Sequence, residues 1–284
     1  VLFSHHNFSE NQSWLTEQKL DKFVTLTSET PYFDSSKSNL AIVANSPTQH
    51  AKTAHQSISV GVPTLVEKPF TLSMRQTQKL IQLSHEKKTI LCAAHVFTFA
   101  RYIHRYSQFI PNKNDIEYIC IDWADPRQEW RHQQNKYFDS SLPIITDVLP
   151  HIVSILNYFL PNSELCFEDI TLARAGAQIF LKLSIGNIHC DVTLSRNDIS
   201  RRRNIQVFSQ GESVDIDFSI EPGIICKGSI NTTGDPDWNT QPHPLSTMLK
   251  LFIRCGMGEK MDSRFDPQVG LVFNKLHEVI LPRY

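Results

Sequence analysis

The sequence predicts an α/β protein: a doubly wound parallel sheet in its first third, then an α+β unit with a mainly antiparallel open sheet. Three observations carry this. Apolar runs bounded by polar residues, Leu40–Ala44 above all, suit strands buried on both faces. Those runs alternate with helical stretches, as right-handed βαβ units require. Beyond about residue 100 the pattern changes to polar–apolar alternation, broken by hairpin-like turns.

The elements follow in order. Val1–Phe3 reads as the end of a strand. Ser9 with Gln12 forms a capping-box pattern that opens a helix to about Gln18. Lys22–Leu26 is β-branched and aromatic, hence a strand. Leu40–Ala44 is the buried strand, followed by a helix from Pro47 to Val60 closed by Gly61. Pro63–Val66 is a strand, Ser73–Lys87 a helix and Thr89–Ala94 a strand. Ile116–Trp123 is a strand and 147–159 a helix. Six short runs then suit an antiparallel sheet: Ile170–Ala173, Gln178–Ile185, Asn187–Leu194, Ile205–Ser209, Val214–Phe218 and Ile224–Ile230. Leu245–Cys255 and Pro267–Ile280 close the chain as helices. The expected division is 1–98 and 99–284.

Composition narrows the function. Lys and Arg number 28 against 29 Asp and Glu in 284 residues, which argues against a nucleic-acid binder. Six cysteines stand singly, without CxxC pairs or zinc-like spacing, so no metal site is expected and a reducing, cytoplasmic setting is. No apolar run is long enough to span a membrane. The start at Val1 lacks an initiator Met, and none of the ten glycines precedes Gly61, so the chain is expected to begin part-way through a longer sequence.

Ligands of doubly wound sheets bind beyond the carboxyl ends of the strands. Three such ends carry polar residues: Asn45-Ser46-Pro47 with His50, Glu67-Lys68-Pro69, and His95. Lys68 in a closed cleft can donate to a substrate oxygen; it can equally be a surface lysine in a turn. Asp147 and His151 are four residues apart on a helix and share a face, so a carboxylate can orient an imidazole. Alternatively, Asp147 is an N-cap, Pro150 sits in the first turn and His151 is an ordinary half-buried residue. Gly256-Met257-Gly258 follows a helix and is no nucleotide loop. Arg201-Arg202-Arg203 reads as a solvated hairpin shoulder from which one residue could reach the cleft.

The run Ala41-Ile42-Val43-Ala44-Asn45-Ser46-Pro47-Thr48-Gln49-His50, followed by Gly61-Val62-Pro63-Thr64-Leu65-Val66-Glu67-Lys68-Pro69, resembles the Gfo/Idh/MocA family of oxidoreductases. Asp147 and His151 resemble its D-x-x-x-H motif, preceded by Trp130-Arg131, and Arg203 through Gly211 resembles a strand pair of its second domain.

The resemblance implies a Rossmann domain, N-terminally truncated here, that binds NAD or NADP, and a C-terminal domain whose sheet forms a homo-oligomer interface. Carried over by position, Lys68 hydrogen-bonds the reacting oxygen, His151 is the acid/base, and Asp147 orients it or binds substrate. Ser4, Asn45, Ser46, Pro47, His50, Glu67 and His95 bind the cofactor. The reaction is hydride transfer between nicotinamide and a hydroxyl or carbonyl carbon of a small, polar, sugar-like substrate.

Three departures stand out. The Gly-rich turn is absent, so the chain as given is expected to bind dinucleotide poorly. Ser141-Leu142-Pro143 replaces a Gly-Gly pair before Asp147, with Pro150 inside the motif. Phe3-Ser4-His5-His6 lacks the acidic residue that binds the 2′-hydroxyl of NAD, which favours NADP. Two other classes stay open: a non-catalytic binding or regulatory relative, and a reductase of imines or biosynthetic intermediates.

Overall fold

A computed structural model describes residues 1–4, 8–29, 32–36, 39–131, 134–136 and 142–284. His5, His6 and Ser141 lie outside the described residues, and of Trp130 and Arg131 only the backbone is described. In chain order the elements are β1 (Leu2–Phe3), α1 (Phe8–Glu17), β2 (Leu26–Thr27), β3 (Ala41–Val43), α2 (Pro47–Ser59), β4 (Thr64–Val66), α3 (Met74–Lys87), β5 (Leu91–Ala93) and α4 (Arg101–Ser107). Then come β6 (Tyr118–Pro126), β7 (Glu129–Arg131), β8 (Gln134–Lys136), α5 (Ile144–Phe159), β9 (Leu165–Ala173), β10 (Gln178–Ile185) and β11 (Ile188–Asp198). The rest are β12 (Arg202–Ser209), β13 (Glu212–Asp217), β14 (Ile224–Lys227), β15 (Ile230–Thr233), α6 (Pro244–Gly256) and α7 (Gln268–Ile280).

The first unit holds parallel strands β3-β4-β5 in that order, with β1 and β2 as a separate parallel pair. β4 and β5 are buried on both faces, which their uninterrupted apolar sequences require. On one face α2 and α3 cover them through Ala54, Ile58, Leu80 and Ile81. On the other, Leu65 and Cys92 meet Met248 and Phe252 of α6, together with Phe265. Each such large side chain, fully buried, contributes about 1.5–3 kcal/mol. α2 begins with Pro47 at its first position, where the missing N–H costs nothing.

The second unit is an eight-stranded sheet, ordered β15-β14-β13-β12-β6-β11-β10-β9. Its pairs are antiparallel except β11 with β6. Gly186 and Gly211 make the tight hairpin turns, with φ of +61° and +80° that only glycine adopts cheaply. The inner face packs on α5, which is buried almost all round, and on α7.

α7 also ties the two units together. Asn274 donates to Thr71 O at 3.0 Å and accepts from Thr77 Oγ1 at 2.6 Å. His277 Nε2 lies 2.8 Å from Thr146 Oγ1 in the first turn of α5. A Cβ on Gly270 would stand 3.2 Å from the ring of Phe70, so the helix approaches the chain just after Lys68 closely.

Several expected boundaries move. α1 already contains Phe8 and Ser9, so Ser9 is not its N-cap. The strand expected at Lys22–Leu26 is only Leu26–Thr27, because β1 offers just two residues to pair with. α4 forms where no element is expected; Tyr102, Ile103 and Tyr106 anchor a helix too short for a periodic signal. Ile224–Ile230 is not one strand but parts of two, β14 and β15, folded back at Gly228.

Candidate active site

The ends of β3, β4 and β5 lie side by side because the three strands pair in register: Val43 opposite Val66, and Val66 opposite Ala93. Each strand therefore releases its next residues at one edge of the sheet. Asn45 and Ser46 are exposed there. Asn45 Nδ2 donates to Thr53 Oγ1 at 3.0 Å, and Ser46 Oγ lies 3.0 Å from Thr48 Oγ1, leaving the start of α2 without a side-chain cap. His50 is only 1 % exposed. Its Nδ1 lies 2.8 Å from Pro69 O and its Nε2 2.9 Å from Asn45 O, so the ring staples the ends of β3 and β4 together. Ser4, at the end of β1, accepts from Asn11 Nδ2 at 3.0 Å.

Glu67 Oε2 accepts from the backbone N–H of Lys68 at 3.1 Å. The Lys68–Pro69 peptide is cis. His95, at the end of β5, is buried, and its Nε2 has no hydrogen-bond partner among the described residues. Burial holds its pKa down at about 4, so the ring is neutral near pH 7.

α5 brings the second set. It starts at Ile144, after Pro143, so Asp147 stands in the helix rather than at its cap and Pro150 is interior. Pro150 has no N–H for the carbonyl of Thr146. Lys68 meets the helix at the next residue, Asp147. Its Nζ donates to Asp147 O at 3.0 Å and forms a short ion pair with Asp147 Oδ1.

Asp147 Oδ2 meets a second cation, Arg196 Nη2, at 3.0 Å. Burial pushes the Asp147 carboxyl up, but Lys68 and Arg196 outweigh it and hold it below the usual carboxylate range. His151 follows one turn later. Its ring stacks on Trp123, with centroids 5.7 Å apart and planes at 16°, and meets the edge of Phe97 at 4.9 Å. Behind Trp123 lies the buried Arg203 guanidinium, 4.0 Å from the ring centre.

Arg203 is therefore an interior residue bound to Ala124 O and Asp125, not part of a solvated shoulder. Arg202 pairs with Asp122 and Asp198, and Arg201 with Glu129 and Glu221. Arg196 and Trp123 are the site residues that sequence reading does not single out. Arg196 does leave a signal: it falls in phase with Ile188, Cys190, Val192 and Leu194, the inward positions of β11.

Residues 12–95 match the family model Gfo/Idh/MocA, described as an oxidoreductase family with an NAD-binding Rossmann fold. The match lies within the first unit. Solved structures of similar fold extend the likeness over both units. A UDP-N-acetylglucosamine 3-dehydrogenase from Acidithiobacillus ferrooxidans superposes with a TM-score of 0.75 at 16% identity, over 98% of this chain and 86% of that one. A 3-ketoreductase from Actinomadura kijaniata, in complex with TDP-benzene and NADP, gives 0.74 at 12%, over 98% and 87%. A dehydrogenase from Clostridium difficile gives 0.72 at 16%, over 99% and 89%. No curated protein matches the chain. No helix among the described residues is long and apolar enough to cross a membrane.

Proposed function

We propose that this Gfo/Idh/MocA-type protein oxidises or reduces a hydroxyl or carbonyl carbon of a small, polar, sugar-like substrate, using NAD or NADP. The observation that carries the proposal is the meeting of Lys68 with Asp147 at the carboxyl end of the parallel sheet, with His151 one turn along the same helix.

The strand ends suit a nicotinamide dinucleotide. Asn45, Ser46 and Pro47 line an open edge, Glu67 offers a half-buried carboxylate, and His95 has a buried nitrogen without a partner among the described residues. These would hold the cofactor, which when bound accepts or supplies the hydride. The lack of an acidic residue beside Ser4 favours NADP.

The chain's own groups handle the oxygen and its proton. Two of the three Lys68 ammonium protons go to Asp147, one to the carbonyl and one to the carboxylate. The third is left to hydrogen-bond the reacting oxygen and stabilise charge that develops there. His151 takes or returns the hydroxyl proton, its ring plane set by Trp123 and Phe97. Asp147 holds the ammonium in place.

The outer face of the large sheet exposes Phe180, at 41%. It is proposed as the contact with a second copy, which light scattering would read as a mass above 32.6 kDa. The test of function is cofactor-linked turnover against a panel of sugars, polyols and nucleotide sugars, with NAD and NADP in both directions. Turnover of at least one polyol or sugar supports the reading. No turnover anywhere, with cofactor bound, would count against it and favour a non-catalytic role.

A further inference from the structure

We propose that Arg196 is a positioning residue: by gripping both Asp147 and the entry of α5, it keeps one proton of Lys68 aimed at the reacting oxygen. The inference rests on the oxidoreductase reading above. Arg196 comes from β11, in the second unit, and only 8% of its side chain is exposed. The alternation of β11 turns it inward with the core residues. Pairing of β11 with β6 shifts register between Ser195 and Asp198, so the strand is irregular where the guanidinium leaves it.

The fork is used twice. Nη2 meets Asp147 Oδ2 at 3.0 Å, and Nη1 donates to Leu142 O at 2.5 Å, just before the helix. A buried guanidinium needs such partners, and a lysine at 196 could not span both directions at once. The consequence for Lys68 is geometric. With Oδ2 occupied, the ammonium reaches only Oδ1 and the Asp147 carbonyl, and its third proton stays free for substrate. Without Arg196, Oδ2 is open, and the ammonium can turn to chelate the carboxylate. Among the described residues, the ionised groups facing Asp147 are Lys68 from the β4–α3 loop and Arg196 from β11. The titratable neighbours are His151 on α5 and His277 of α7, which sits against Thr146.

The test compares Arg196→Gln and Arg196→Lys with the parent chain. Arg196→Gln should lower kcat by on the order of ten- to a hundred-fold, with the cofactor KM changed less than about two-fold. The acid limb of its pH–rate profile should move to higher pH, because Asp147 loses one of two cations. Arg196→Lys should keep that limb in place and recover part of kcat. The same shift is read without turnover from the carboxyl carbon resonance of Asp147, assigned with Asp147→Asn. An unmoved midpoint in Arg196→Gln overturns the proposal. So does a lowered melting temperature with parental kcat and acid limb, which marks a merely structural arginine. If Arg196→Gln does not fold, Arg196→Lys decides: kcat equal to the parent's overturns the proposal, and a lowered kcat with an unmoved limb supports it. If the parent turns over nothing, the functional reading fails, while the resonance still reports whether Arg196 holds Asp147.

Discussion

Replacing Asp147 with Asn should destabilise the fold, and by more than removing Lys68. In the folded chain one carboxylate oxygen faces Lys68 and the other Arg196. Asparagine preserves the shape but leaves two cations flanking a neutral amide. Removing one partner of a buried pair costs about 3–5 kcal/mol, whereas an exposed pair contributes less than about 1 kcal/mol. The side chains of Asp147 and Lys68 are 29% and 23% exposed, but Arg196 only 8%, so the arrangement lies between these limits. The expected loss is about 2–3 kcal/mol for Asp147→Asn, and about 1 kcal/mol for Lys68→Met, which leaves Asp147 on Arg196. Urea denaturation of both variants at neutral pH measures this. A loss under about 1 kcal/mol for Asp147→Asn, or a larger one for Lys68→Met, would refute the reasoning. The pH dependence carries a sign. A carboxylate depressed in the folded state stabilises fully above its unfolded value, near 3.9, and that stability is lost as pH falls through the lower folded value. The gap between parent and Asn variant should therefore persist at mildly acidic pH and close only in strong acid.

Three further outcomes follow from the geometry. His95 is held neutral by burial, with a pKa of about 4 against an ordinary 6.5, so stability should fall as pH drops from about 6.5 to about 4; His95→Phe should flatten that window in a melting-temperature series. Trp123→Phe keeps an aromatic surface but weakens the stack on His151 and the Arg203 contact, so kcat should fall more than KM rises, at a stability cost of about 1–2 kcal/mol. Asn274→Leu leaves Thr77 and the Thr71 carbonyl short of partners at the junction of the units, which should cost about 1–3 kcal/mol by urea denaturation.

Much of the scaffold is legible because local rules and tertiary packing agree. β10 spans Gln178–Ile185 as the alternation requires, and Ser73 caps α3 by accepting from Gln76 N. The start of α5 is harder to place: Pro150 suggests an entry near Asp147, but the helix is so enclosed that tertiary packing carries it back to Ile144. At the site, Lys68 and Asp147 stand out as polar residues at a strand end and on a helix face. That they touch is not legible, because they lie 79 residues apart and come from different units. His50 shows the opposite case. Its position implies a groove residue, yet both ring nitrogens are taken by carbonyls, a fact about its neighbours' backbones that no side-chain pattern encodes.

The decisive measurement is steady-state turnover of Lys68→Ala beside the parent chain, with cofactor affinity determined separately by nicotinamide fluorescence. If Lys68 stabilises the reacting oxygen, kcat falls by at least about a hundred-fold while the cofactor dissociation constant stays within about three-fold. Parental kcat in that variant would contradict the reading that this ammonium is aimed at the chemistry.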